Sequence, residues 1–560
     1  MTVKTSHPLI KFSAFKSKLF KLVFSSALFF SSSFNYACGI ATSSLHAERI
    51  GCDVLLKGGN AFDAAIAVSL ALGVSEPYGS GIGGGGFFLL KKHTDADFTF
   101  IDARETAPKN TNKIDYRKNQ DYLKYGPLAI GTPGIPSALD HIFKNYSTFK
   151  INSLIYPSIE LANHGFEIDN RFAKAIQRKK KYILSNKNIK KLFVDKNGDL
   201  LKKGDLFVQK DLSRSLRFFA DHGFESFYDS ALTNKLVKSI KVNGGIINHQ
   251  DFKNYQIRLR KPIEFNINKS TINSANLPSS GGLILKQILK ILESFSNSPK
   301  FKTEFNHLFI ESMKLAYQDR AFFLGDPDFN DIDIDYLGSQ EHISKKIKKI
   351  NFDKVIDPEV YENQKTKNNS DTTHFSIIDA RGNIVSATLS INTSFGALFV
   401  PEGTGIFMNN HLDDFSFENE SNTYGLIGSH FNYLKPFKRP LSSMTPTVLE
   451  DDNSIIVIGT PGGSRIISMV AQYLSHYLFF PNLSLEKIIN ISHIHHQYYP
   501  NKVFLEKSFN EKSAQILLKK GHITKKLNYN WGSLQIVHYR KSDGKIFVIN
   551  DPRTQKGRIF

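Results

Sequence analysis

A period-two alternation of apolar and polar residues runs through "THFSIIDARGNIVSATLSIN", residues 373–392. It is interrupted only at Arg381-Gly382-Asn383, so it predicts two strands joined by a tight turn. The stretch just before it, "NNSD" (368–371), is polar and patternless. A solvated linker therefore meets a β-hairpin with nothing but Thr372 and Thr373 between them. Near the start, Ala47, Ile50, Val54 and Leu55 have helical spacing, and Gly58-Gly59 ends that helix. A second helix is expected from Asn60, an N-cap. Its Ala/Leu-rich residues leave little polar face, which predicts burial between layers. "FFLLKK" and "FTFIDARE" read as a further hairpin, residues 150–350 as helical and charged, and the segment after Gly325-Asp326-Pro327 as a Lys/Asn-rich stretch reaching Asp371. The last third is strand-rich ("TVLE", "SIIVIGT"), with a helix from about Ser464 and more strand at the end. Helices and strands fall in separate blocks, with no internal repeat and no Pro- or Gly/Ser-rich linker. That predicts an α+β fold of stacked sheets with helices outside, not a parallel βαβ fold.

Composition changes this picture in three places. Five lysines precede the apolar run "LVFSSALFF" (22–30), followed by Ser-rich residues and Tyr36-Ala37. This is the layout of a cleavable export leader over residues 1–37. The run is too short to span a bilayer, which takes ~20 apolar residues. Export to the periplasm or medium is expected, with no transmembrane segment. Cys38 and Cys52 are the two cysteines; they can pair in an oxidising compartment but cannot form a zinc cluster alone. Cys38 follows Ala37 as a lipid-attachment cysteine would, although Asn35 fits such a signal poorly. The net charge of +20 raises nucleic-acid binding. The lysines are scattered in clusters such as "RKKK" (178–181) without any accompanying motif, so nucleic acid is not expected as a partner.

Several motifs carry candidate chemistry. "GSGIGGGGFF" (79–88) lacks the Lys-Ser/Thr of a phosphate loop and runs into a strand, so a tightly turned backbone packed against another segment is expected. "GTPGGSRII" (459–467) lies between an apolar strand and a helix. There the N–H groups of Gly462 and Gly463 can form a nest for a developing oxyanion, or merely an ordinary turn. "HIHHQ" (493–497) has poor ligand spacing and no cysteine or carboxylate cluster beside it, so no metal is expected. No G-x-S-x-G elbow is present. The Asp371–Thr372 junction remains. A hydroxyl nucleophile needs a base beside it. Cutting before Thr372 would place a free α-amine, of reference pKa ~7.7–8.0, on the same residue as the hydroxyl.

At this point the chain resembles the γ-glutamyltranspeptidases, N-terminal-nucleophile hydrolases made as one precursor and self-cleaved into two subunits. The resemblance covers nearly everything after the leader: "GGNAFDAAIA", "GIGGGGFFL", "DARETAP", "PSSGG", "AYQDRAFFLGDP", "DTTHFSIID", "NNHLDDFS", "KRPLSSMTPT" and "GTPGGSRI". It implies a four-layer αββα sandwich, cut between Asp371 and Thr372 into a large subunit (38–371) and a small subunit (372–560). Thr372 takes the nucleophile's position, and Ser390 stands where the family usually has a second threonine. Arg104 is the expected holder of the substrate α-carboxylate, assisted by Ser442 and Ser443; Asn392 and Asp414 are expected on the α-ammonium. Gly462 and Gly463 take the oxyanion hole, and Tyr424 matches a lid tyrosine. His411 departs from the family, which usually has Gln or Glu there. A neutral imidazole can accept a hydrogen bond whereas an imidazolium would repel the ammonium, so affinity is expected to fall in acid more than in a His411→Gln variant.

The implied partners are glutathione and other γ-glutamyl compounds as donors, amino acids or dipeptides as acceptors, and the two subunits of a heterodimer; no cofactor is implied. Three rivals are weighed. A glutaryl- or cephalosporin-type acylase does not need Asn392 and Asp414. A poly-γ-glutamate hydrolase needs an open groove, against the lid-like "SNTYGLIG". An uncleaved secreted binding protein does not need Thr372, Ser390 and both glycines.

Overall fold

The computed structural model describes residues 38–357, 371–418 and 421–553. The expected leader and residues 358–370, the end of the Lys/Asn-rich stretch before the junction, lie outside the described residues. Two six-stranded sheets form the centre. Their strands, in chain order, are β1 (Ile40–Thr42), β2 (Gly85–Lys91), β3 (Thr99–Ala103), β4 (Arg258–Arg260), β5 (Ile263–Ile267), β6 (Ser270–Ser274), β7 (Thr373–Ile378), β8 (Ile384–Ser390), β9 (Thr447–Glu450), β10 (Ser454–Gly459), β11 (Gln535–Arg540) and β12 (Lys545–Asn550). The first sheet has the order β1-β7-β8-β2-β3-β4 and the second β12-β11-β10-β9-β6-β5; every pairing within them is antiparallel.

Helices cover both outer faces. α1 (Leu45–Leu56), α2 (Ala61–Ser75), α3 (Ile151–His164) and α4 (Lys210–His222) contribute to the core that backs the first sheet. α5 (Gly281–Phe295), α6 (Phe301–Phe323) and α7 (Arg465–Phe479) build the core behind the second. α2 is buried along its whole length, as its composition predicts, and starts with a reciprocal capping box between Asn60 and Asp63. This is the αββα sandwich.

All six residues of β7 are buried, so the polar half of its alternation does not face water. Phe375 and Ile377 enter the core under the first helical layer. His374 and Ser376 point to the other sheet, where Ser376 Oγ donates to the Gln535 carbonyl at 2.9 Å. His374 bonds the Thr388 and Ser376 hydroxyls, and burial pushes its pKa down to about 3, so the ring stays neutral. A polar layer thus pins the two sheets together with its groups satisfied.

The expectation that residues 150–350 are helical is corrected. β4, β5 and β6 lie there and extend both sheets. All three are short: β4 is charged and largely exposed, β5 ("IEFNI") alternates over only five residues, and β6 ("STINS") has a single large apolar residue, so none stands out within a helical stretch. Cys38 and Cys52 form a disulfide. Among the described residues, no helix is long and apolar enough to cross a membrane.

Candidate active site

The hairpin places the nucleophile. β7 and β8 pair so that Thr373 lies opposite Leu389, which sets Thr372 beside Ser390. Their hydroxyl oxygens are 3.3 Å apart, and both residues are buried. Ser390 Oγ also accepts the Asn392 N–H at 2.8 Å, which fixes its direction. The glycine run 83–86 packs beneath this strand end. A Cβ on Gly84 would come within 2.2 Å of the Ser390 carbonyl, so the close approach requires glycine there, as the sequence suggests.

A cavity of about 340 Å³ opens in front of Thr372. Thr372, Ser390, Arg104, Asn392, His411, Asp414, Tyr424, Ser442, Ser443 and Gly463 all line it, although they are drawn from segments up to about 360 residues apart. Arg104 leaves the end of β3 fully buried and bonds the Asp414 carboxylate at 2.5 Å and the Pro440 carbonyl at 3.1 Å. Among the described residues its Nη1 has no hydrogen-bond partner, though it lies 3.6 Å from Glu105 Oε2. Cation and anion side by side complement an amino-acid zwitterion, whose carboxylate and ammonium sit on one carbon. Next to Asp414, the fully buried Asp413 carboxyl is pushed up to about 6 and accepts the Thr423 N–H at 3.2 Å. The two acidic residues thus divide between pocket and lid. Tyr424, expected over the pocket, lines it and donates its hydroxyl to Asn392 Oδ1 at 2.6 Å.

Two charged residues went unassigned in the sequence reading. Arg320, in "AYQDRAFF" on α6, lines the cavity and donates from Nε to Ser443 Oγ at 3.3 Å. Burial lowers its pKa to about 10, so it remains a cation near neutrality. Glu105, in "DARE", takes His411 Nδ1 at 2.7 Å. With the ring proton on that nitrogen, the Nε2 lone pair is left for a donor in the cavity. Both residues were visible in the quoted motifs; only their approach to the pocket was not. "PSSGG" turns out to support Ser442, whose carbonyl accepts from the Ser280 N–H and hydroxyl.

Gly462 and Asp371 are not in this cavity. They line a second, larger cavity of about 2140 Å³ on the other side of the junction. The Asp371–Thr372 bond and the Gly462–Gly463 pair therefore form the partition between the two spaces. Gly462 (φ +147°) and Gly463 (φ +58°) adopt a conformation that side chains disfavour, just before α7 begins. Asp371 is held by Arg178 at 2.8 Å and by the Ser394 hydroxyl.

The "HIHHQ" histidines make packing hydrogen bonds. His495 bonds Ser468 Oγ at 2.9 Å, and burial takes its pKa down to about 3. Among the described residues, His307, Glu311 and His522 converge closely enough to hold a metal. The Lys314 ammonium sits 2.8 Å from Glu311, however, and the two rings bond each other at 2.8 Å. That polar network lies outside the cavity in front of Thr372.

A hydroxyl at the head of a strand, beneath a two-sheet sandwich and after a severable junction, defines an N-terminal-nucleophile hydrolase. Residues 47–560 match the family model described as Gamma-glutamyltranspeptidase, and the chain belongs to that family. It is 34% identical over 527 residues to the glutathione hydrolase proenzyme of Escherichia coli (strain K12), covering 92% of this chain and 90% of that one. It is 36% identical over 464 residues to the glutathione hydrolase proenzyme of Bacillus subtilis (strain 168), covering 78% and 77%. Among solved structures, a cephalosporin acylase from Bacillus halodurans superimposes with a TM-score of 0.81 at 25% identity, over 93% of this chain and 95% of that one. A Helicobacter pylori gamma-glutamyltranspeptidase chain gives 0.54 at 34% identity, over 57% and 93%.

Proposed function

We propose that the protein is a self-cleaving glutathione hydrolase and γ-glutamyltransferase. The observation that carries this reading is one cavity presenting the Thr372 hydroxyl together with the Arg104–Asp414 charge pair. In maturation, Thr372 Oγ attacks the Asp371 carbonyl carbon. The C–N bond breaks and an ester forms. Water hydrolyses it to leave the Asp371 carboxylate on a large subunit (38–371) and the Thr372 amine at the head of a small one (372–560).

In catalysis that amine takes the Thr372 hydroxyl proton as Oγ attacks the γ-carbonyl of the donor. The oxyanion is held by the N–H groups of Gly462 and Gly463. Collapse passes the proton to the departing amine and leaves a γ-glutamyl ester, which water or an amino acid then resolves. Arg104, with Ser442 and Ser443, holds the α-carboxylate, while Asp414, Asn392 and His411 hold the α-ammonium. Tyr424 covers the pocket. The acylase reading shares this scaffold but leaves the Arg104–Asp414 pair without a purpose. Export is part of the proposal; the leader-like residues 1–37 and the Cys38–Cys52 disulfide support it.

The test is Thr372→Ala. The variant is expected to run as one uncut chain, of 63 kDa less whatever leader is removed, and to release nothing from a γ-glutamyl anilide. Two bands on a denaturing gel would end the proposal.

A further inference from the structure

The larger cavity contains an unexplained charge. Arg465, the first residue of α7, lines it next to Gly462 and Asp371. It is only 7% exposed, yet among the described residues its guanidinium forms no ion pair, and Nη2 has no hydrogen-bond partner. Its neighbours are ring faces: Trp531 at 4.7 Å and Phe504 at 5.9 Å from the guanidinium carbon to the ring centroids. Stacking stabilises a guanidinium over its flat faces and leaves its N–H edge available. A buried cation with no counter-ion is costly, and a carboxylate meeting the planar fork removes that cost. The wall of the same cavity already holds one carboxylate in this way, Asp371 on Arg178.

Position gives the ligand its identity. The γ-glutamyl group enters the small cavity in front of Thr372, so the amine side of the scissile amide must leave through the partition, towards Gly462. The Arg465 backbone N–H bonds the Gly462 carbonyl at 3.2 Å, which ties this arginine to the oxyanion loop by one turn of chain. We propose that Arg465 anchors an amine-side subsite. It binds the free carboxylate of the leaving amino acid or dipeptide and, in transfer, that of the incoming acceptor. Arg465 is a specificity residue here, not a participant in bond making. The proposal rests on the γ-glutamyl-transfer reading given above.

The test compares matched substrates with and without the carboxylate, using the full-length mature enzyme shown to be cut by gel. Donors are glutathione, glutathione amidated at its glycine carboxylate, and a γ-glutamyl anilide, whose leaving group has no carboxylate. Acceptors are glycylglycine and its amide, at fixed anilide. The wild type is expected to prefer each carboxylate form by about tenfold in KM, the scale of one charge-assisted pair. Arg465→Gln is expected to bring both preferences to within about twofold, with Arg465→Lys intermediate. Loss in the donor arm alone assigns the anchor to the leaving group, and loss in the acceptor arm alone assigns it to the incoming amine. A wild type indifferent to amidation, or an Arg465→Gln enzyme that keeps its preference, overturns the subsite. If Arg465→Gln stays uncut, the wild-type ratios and the Arg465→Lys enzyme decide in the same way. A wild type inert on the anilide would instead remove the parent reading.

Discussion

The two cavities meeting at the Asp371–Thr372 bond are built on opposite plans. The one in front of Thr372 is small and closely balanced: Arg104 and Arg320 face Asp414 and the Glu105 behind His411. The other is much larger, and among the described residues it leaves the Arg465 cation without an ion pair. A balanced pocket recognises one zwitterion in one pose, because a ligand missing either charge leaves a buried group unpaired. In the larger cavity Arg171, Arg178 and Arg553 are already paired with carboxylates, and among the described residues the buried Arg465 is left for a further carboxylate to meet. On the proposed roles, strict donor choice and tolerant amine choice are expected from this difference in charge pairing.

Asp414→Asn tests the balanced side most severely. Removing the anion from the Arg104 pair should raise KM about a hundredfold, ~2.7 kcal/mol, and equally for glutathione and for an anilide. An effect that depended on the leaving group would break the division between the cavities. Ser390→Ala follows. Loss of the hydroxyl 3.3 Å from Thr372 Oγ should slow self-cleavage and kcat by about tenfold with KM little changed, read by gel densitometry and steady-state kinetics.

His411→Gln and His411→Ala test the acceptor in the pocket. Glu105 takes the Nδ1 side of the ring at 2.7 Å, which leaves Nε2 to accept from the ammonium. An amide oxygen can replace that acceptor and a methyl group cannot, so KM should rise by about threefold more in His411→Ala than in His411→Gln. Equal KM values for the two variants would remove His411 from ammonium binding.

The smallest effect falls on the side of the larger cavity. Glu506 accepts the Trp531 N–H and pairs with Arg553 and His493. These contacts hold its pKa near 2, below the ordinary 4.5, against the opposing effect of burial. A folded pKa below the unfolded one gives stability that is present above about 4.5 and lost as pH falls towards 2. Melting temperatures taken from pH 5 to pH 3 should thus fall further for the wild type than for Glu506→Gln. Parallel curves would deny Glu506 that role.

Much of the architecture was legible. The alternation over 373–392 marked β7 and β8, the helical spacing and Asn60 marked α1 and α2, and the segregated blocks marked stacked sheets. β4, β5 and β6 were missed, because strands of three to five residues give too few periods to stand out and take their conformation from neighbours already in the sheet. They also make each sheet a composite. Residues after the junction supply two strands of the first sheet and four of the second, and residues before it supply the rest. Neither side of the cut can complete a sheet alone.

The chain's order determined the hairpin, its register, and hence that Thr372 lies beside Ser390, because strand periodicity and a tight turn act over a few residues. Folding in three dimensions decided which charges meet. Arg104 finds Asp414 across 310 positions, Glu105 finds His411 across 306, and Arg465 is left with ring faces. Such pairings depend on how distant segments pack, and no local pattern records that.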